Sequence, residues 1–239
     1  MVSSTQFLPV PPPTLESPTY KADLDEVKEI GKSNSLTRTA DQTTTARIWA
    51  SIAAAGAPGT ATHYSQIWQN IARDISQERG MSLVETARLF VLMNVSIHDA
   101  LQTTLTSKFI YGLWRPVTAV READTDGNDA TQADPTWLPL LTTPPYPSAP
   151  GNMACIAGST SRVLERLFGQ DNIPFSVTWT GAGTSPSATR NFSGFRELAD
   201  QQAYSRIWGG IHFEAETLSS LGACSLLGDY AVDNVLRRR

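Results

Sequence analysis

The feature that most constrains this fold is the run that opens at Ser82. Ser82 followed by Glu85 is a capping-box pair, in which each side chain satisfies a backbone N–H of the first helical turn. The apolar sequence behind it runs to about residue 105, with Ala87, Phe90, Val91, Asn94, Ile97 and Leu101 spread around the helix circumference. A long helix that is apolar over most of its surface must be enclosed by other helices. Alternating strand patterns are scarce elsewhere, so the chain reads as mostly α, within the all-α class.

The remaining elements follow in order. Residues 1–20 are rich in Pro and Ser and read as an extended arm without a core of its own, and residues 21–33 as a weak helix. That gives a proline-rich segment over 1–42 and a helical domain over 43–239. Helices are expected over 43–56, stopped by Gly56, and over 62–79, where Tyr64, Trp68, Ile71 and Ile75 form one stripe ahead of Gly80. Pro116 starts a short helix over 117–122. Residues 124–136 form a solvated acidic loop; they lack the ligand ladder and terminal Glu of a calcium loop. Residues 143–150 are turn-forming, and a helix spans 152–168 up to Gly169. One strand-like alternation covers 172–180. Helices return over 192–207 and from His212 to about 235.

The composition excludes several classes. The 239 residues carry 41% apolar and 18% charged side chains, the profile of a globular protein with a sizeable core. A net charge of −4 argues against nucleic acid as a partner. There is no apolar run long enough for a membrane span and no evident signal peptide. The expectation is a soluble chain, either cytoplasmic or a processed or shortened form. The cysteines, Cys155 and Cys224, sit in apolar helical contexts typical of buried free thiols; a single bridge is the other arrangement open to them.

One group of residues carries chemistry. Lys108 and Arg115 are separated by six residues, and Arg206 precedes His212 by six. Between the pairs lies the turn Gly151-Asn152 at the start of a helix. Fixed cations, a helix N-terminus and an imidazole together suit a tetrahedral oxyanion. Each alone has a plainer explanation, because exposed Lys and Arg are usually solvated and a lone His is usually structural.

These blocks resemble the signature of the superfamily that joins vanadium-dependent haloperoxidases and type 2 phosphatidic acid phosphatases. The neighbouring text TARLFVLMNVSIHDAL, WRPVTAVREAD and SRIWGGIHF is similar to the bacterial haloperoxidase-like branch. The resemblance implies a helical bundle with Lys108, Arg115 and Arg206, together with Gly151 and Asn152 of the turn, around an oxyanion. It implies that His212 is either the axial ligand of vanadium or a nucleophile that becomes phosphorylated. The cofactor is vanadate in the first case, with hydrogen peroxide and halide as partners and hypohalous acid as product. In the second, a small phosphate ester is the substrate and no cofactor is needed.

The chain departs from that pattern in its middle block. The family turn reads Pro-Ser-Gly-His, with the His as acid–base. A gapless anchor on Pro144–Pro147 puts Pro150, Gly151, Asn152 and Met153 on those positions; an anchor on Pro147-Ser148 keeps a serine but again supplies no histidine. His63, His98 and Glu214 are the candidate substitutes. The readings to weigh are therefore a haloperoxidase-like enzyme, a phosphomonoesterase, and a non-catalytic oxyanion-binding descendant. Relatives usually carry a further N-terminal helical region. A half-bundle leaves apolar faces exposed, so self-association into a homo-oligomer is expected.

Overall fold

The computed structural model describes residues 1–50, 64–181 and 186–237. Its helices are α1 (Pro18–Ile30), α2 (Ala40–Ala50), α3 (Tyr64–Glu78), α4 (Leu83–Tyr111), α5 (Pro116–Arg121), α6 (Asn152–Phe168), α7 (Phe195–Trp208) and α8 (Glu214–Asn234). A short antiparallel hairpin, β1 (Phe175–Trp179) and β2 (Ala188–Phe192), is inserted before α7, with Phe175 opposite Phe192. The chain is thus the expected helical bundle. The second strand, read from sequence as loop and helix start, pairs through Thr178 and Thr189 and buries Phe192.

The enclosed helix is α6 rather than α4. It packs against α4, α7 and α8, and its sequence shows why it can. Met153 through Ser161 are all buried, and most are small. A Cβ added at Gly158 would lie 2.2 Å from the Leu221 carbonyl oxygen, and one at Gly228 would lie 2.6 Å from that of Ser159. The α6 and α8 backbones therefore touch, and larger side chains would push them apart. Helix α4 begins with the predicted capping box. It leaves Leu83, Val84, Val91, Leu105, Phe109 and Ile110 exposed, so its apolar circumference marks a half-covered helix. It also runs past 105 to a left-handed Gly112, φ 61°, because nothing between breaks it. That extension places Lys108 in the last turn of α4.

A disulfide joins Cys155 on α6 to Cys224 on α8 with a Cα–Cα separation of 5.0 Å, which corrects the reading of two free thiols. The backbone contact between the helices brings the two cysteines within bonding range. The N-terminal segment lies on the bundle: Tyr111 donates to the Pro9 carbonyl at 2.6 Å, Ser219 donates to that of Val10, and Phe7 meets Tyr230. Helix α1, capped by Ser17, buries Tyr20, Leu24 and Val27 against Val120, Trp137 and Phe213. The expected helix over 43–56 begins earlier, at Ala40; its stop at Gly56 lies outside the described residues. Among the described residues no helix is long and apolar enough to cross a membrane, and no group of His, Cys, Asp or Glu could hold a metal ion, the 124–136 loop included.

The seam between α1 and α8 is acidic. Burial pushes Asp23 up to about 6, against a hydrogen bond from the Ala215 amide and with Glu214 and Glu216 adding to the rise. Burial, Glu214 and Asp23 likewise push Glu26 up to about 7. A carboxyl raised in the folded state binds more protons there than when unfolded, so its effect on stability worsens as pH rises. Wild type is expected to lose stability between about pH 4 and 7 through this seam, and Glu26→Gln to lose less, in urea midpoints at pH 5 and pH 8. Equal losses in both proteins would refute the assignment. Separately, removing the disulfide in Cys155→Ala/Cys224→Ala opens a loop of 69 residues. It should lower unfolding stability by about 4 kcal/mol on the chain-entropy model, checked by denaturant unfolding.

Candidate active site

The site forms where α6 and α8 begin. Residues 209–213 link α7 to α8, so His212 stands just before α8 rather than on it. Gly210 takes φ 73° in this link, and a Cβ there would lie 2.4 Å from the Gly31 carbonyl oxygen, which explains the glycine. Arg38 ties the same link to α1, donating to the carbonyls of Ile30, Lys32 and Trp208.

His212 is 5% exposed and held at both nitrogens. Its Nε2 lies 3.0 Å from Arg115 Nη1. A guanidinium can only donate, so Nε2 accepts and the proton is assigned to Nδ1. Nδ1 then donates to Glu216 Oε1 at 2.9 Å. Burial, with Arg115 beside it, lowers His212 to about 3 despite Glu216, so the imidazole is neutral near neutral pH. Burial acts to raise Glu216, but His212, Lys108 and the Ser148 hydroxyl together hold it below the usual carboxyl range. Oε1 of Glu216 accepts from Ser148 Oγ at 2.5 Å, His212 Nδ1 and the Phe213 amide at 3.0 Å.

The cations differ in what they have left to offer. Arg115 donates from Nε to the Tyr146 carbonyl and from Nη1 to the Ile211 carbonyl, while its buried Nη2 has no partner among the described residues. Arg206 donates from Nη1 to the Trp49 carbonyl at 3.3 Å, and its buried Nε likewise has no partner among the described residues. Burial, then Arg115, lowers Arg206 to about 10, so it stays charged. Lys108 is fully buried and donates to the Pro147, Ser148 and Pro150 carbonyls. Burial and Arg115 lower it to about 7, with Glu216 opposing. The Tyr146 ring lies against both Lys108 Nζ and the Arg115 guanidinium, 5.3 and 5.0 Å from its centroid.

Gly151 is the N-cap of α6 and brings no capping side chain to the first turn. A Cβ built on it would stand 3.9 Å from His212 Cε1, so turn and imidazole are neighbours. The Gly151 amide donates to Ser220 Oγ at 2.9 Å. Asn152 is the first residue of α6, and its buried Oδ1 has no partner among the described residues. Gly151, Arg115 and His212 thus converge, with Lys108 joined to them through the carbonyls of the turn.

Met153 points into the core cluster that contains Trp68 and Ile71, and its carbonyl accepts from Gln202 Nε2 at 3.1 Å. Of the substitute acid–bases, His98 is exposed, His63 lies outside the described residues, and Glu214 accepts from Tyr204. Sequence reasoning missed Glu216, Ser148 and Ser220. The spacing His212-x3-Glu216-x3-Ser220 was the available signal: three polar groups on one side of a helix start. Ser148 reads only as a serine of the turn; its hydroxyl finds Glu216 only after the turn and α8 meet.

With this geometry in hand, comparison with known proteins gives a consistent answer. The family model of the VCPO second helical-bundle domain matches residues 88–239, and the chain belongs to that family. The vanadium chloroperoxidase of Curvularia inaequalis is 26% identical over 289 residues, spanning 97% of this chain and 47% of that protein. The crystal structure of the first bacterial vanadium-dependent iodoperoxidase superposes with a TM-score of 0.79 at 27% identity, covering 98% of this chain and 54% of that one. A holo-type bacterial vanadium-dependent chloroperoxidase shares the fold at 18% identity and a TM-score of 0.66, over 89% of this chain and 46% of the other. This chain therefore spans about half the length of the relatives it matches.

The residues present suit an oxyanion. Leaving a buried donor unpaired costs about 1–3 kcal/mol, and Arg115 Nη2 and Arg206 Nε are two such donors among the described residues; the first turn of α6 carries no side-chain cap. Glu216 is the group that fixes the imidazole among them. Glu216→Ala leaves the Ser148 hydroxyl, His212 Nδ1 and the Phe213 amide without their acceptor. Each buried donor left unsatisfied costs about 1–3 kcal/mol; the expected result is a fall of at least that size in unfolding free energy, with a smaller fall for Glu216→Gln, which retains an acceptor oxygen.

Proposed function

We propose that the chain is a vanadate-dependent, haloperoxidase-like protein in which His212 Nε2 ligates the metal and Arg115, Arg206 and the first turn of α6 hold the oxyanion's oxygens. The observation that carries this reading is the neutral, buried His212, with Glu216 on Nδ1 and a guanidinium with unpaired N–H groups against Nε2. A metal ligand needs the unprotonated nitrogen aimed into the site and the other nitrogen fixed by a hydrogen bond. When bound, vanadate supplies a Lewis-acid centre for activating hydrogen peroxide toward halide. Ligation at Nε2 requires Arg115 Nη1 to give up its hydrogen bond there, which frees a further N–H for the anion. Nδ1 keeps its proton and donates it to Glu216, which keeps the ring oriented.

Proton transfer is the weak step. A positioned acid or base typically contributes about 10²–10⁴-fold, and Met153 cannot ionise. Its burial in the core supports a second reading, a descendant that binds an oxyanion without efficient turnover. Phosphomonoesterase activity with a phospho-His212 intermediate would use the same pocket but lack a leaving-group acid.

Vanadate binding and peroxide-dependent halide oxidation distinguish these readings. Wild type should bind vanadate, and His212→Ala should lose most of that affinity. Absence of vanadate binding in wild type would sink the proposal, and trapped phospho-His212 with an aryl phosphate would favour the esterase. Gly151→Ser should fold normally and bind oxyanion more tightly. An added Cβ makes only ordinary contacts of 3.6 Å or more, and the new hydroxyl adds a hydrogen-bonding group beside His212.

A further inference from the structure

The turn at 144–150 poses a hydrogen-bonding problem. Pro144, Pro145, Pro147 and Pro150 have no N–H, so the segment cannot build a ladder of its own. Its carbonyls still need donors once they are buried. Cations supply them: Arg115 Nε donates to the Tyr146 carbonyl at 2.8 Å, and Lys108 donates to those of Pro147, Ser148 and Pro150 at 3.1, 2.6 and 2.5 Å. The Ser148 amide adds a bond to the Leu113 carbonyl, just past α4.

An ammonium has three N–H groups, and here three carbonyls receive them. The Tyr146 ring lies along the same head group. To serve an anion as well, Lys108 would have to release one carbonyl and leave it buried without a donor. Arg115 and Arg206 are under no such constraint, since each keeps a buried N–H group unpaired.

We propose that Lys108 is a positioning residue that fastens the 147–150 turn to the end of α4, and that it gives no hydrogen bond to the oxyanion. The anion is held by Arg115, Arg206 and the first turn of α6, which Lys108 keeps in place from behind. This rests on the oxyanion reading above but reassigns the residue that the resemblance would place in direct contact.

Two measurements test it. In the absence of any oxyanion, Lys108→Met should accelerate amide hydrogen exchange in a peptide covering residues 144–156 roughly tenfold or more. Unchanged exchange there overturns the fastening role. The second uses wild type, so it stands even if the variant does not fold. Protein labelled with ¹⁵N at Lys Nζ and Arg Nε is titrated at pH 6 with inorganic phosphate and then with vanadate. The Lys108 ammonium signal should stay in place while the Arg115 and Arg206 signals shift. A Lys108 signal that moves in step with Arg206 overturns the proposal. If neither guanidinium responds to either anion, the oxyanion reading itself has failed, and the assignment of anion-holding groups falls with it.

Discussion

The contact on which the rest of the structure depends is the one between the α6 and α8 backbones. Gly158 and Gly228 remove the side chains that would separate the helices, and the Cys155–Cys224 bridge locks the pair in the core. Both helices begin at the same end of this contact. Gly151 starts one and His212 precedes the other, so a helix N-terminus and an imidazole become neighbours as a result of close packing. The Gly151 amide bonded to Ser220 Oγ joins the two starts directly. Any change that spreads α6 from α8 must also pull the site apart.

Burying three cations in one region requires compensation, and the chain supplies it in two forms. Glu216 gives a full negative charge, shared among a hydroxyl, an amide and the imidazole. The proline turn gives carbonyl dipoles to Lys108 and Arg115. A segment poor in donors is suited to this task, because its oxygens are not consumed by its own N–H groups. What compensation does not reach is left as the unpaired N–H groups of Arg115 and Arg206. They are the groups on which the proposed anion binding rests.

Much of the helical order was legible because its signals are local. The capping box at Ser82 and Glu85, Gly169 at the end of α6 and the stripe of α3 depend on residues a few positions apart. The errors arose where a partner far along the chain decides. Helix α4 has a richer apolar pattern than α6, yet α6 is the enclosed one, because enclosure follows from what packs alongside. Strand β2 has little propensity of its own and exists through pairing with β1. The cysteines bond because two helices touch.

The sequence by itself determined the class: a mostly helical chain whose Lys108, Arg115, Arg206 and His212 stand at spacings that resemble those of the haloperoxidase family, with Met153 where that resemblance expects an acid–base. Those properties lie in residue identity and short-range periodicity. The tertiary structure alone decided how each group is used. It gave His212 its neutral state and its tautomer through Glu216 and Arg115, turned Lys108 toward carbonyls, and left two guanidiniums with N–H groups to spare. Apart from the short step from His212 to Glu216, those outcomes depend on burial and on contacts such as Lys108 with Pro147 and Arg115 with His212, 39 and 97 positions apart, which no local pattern in the chain encodes.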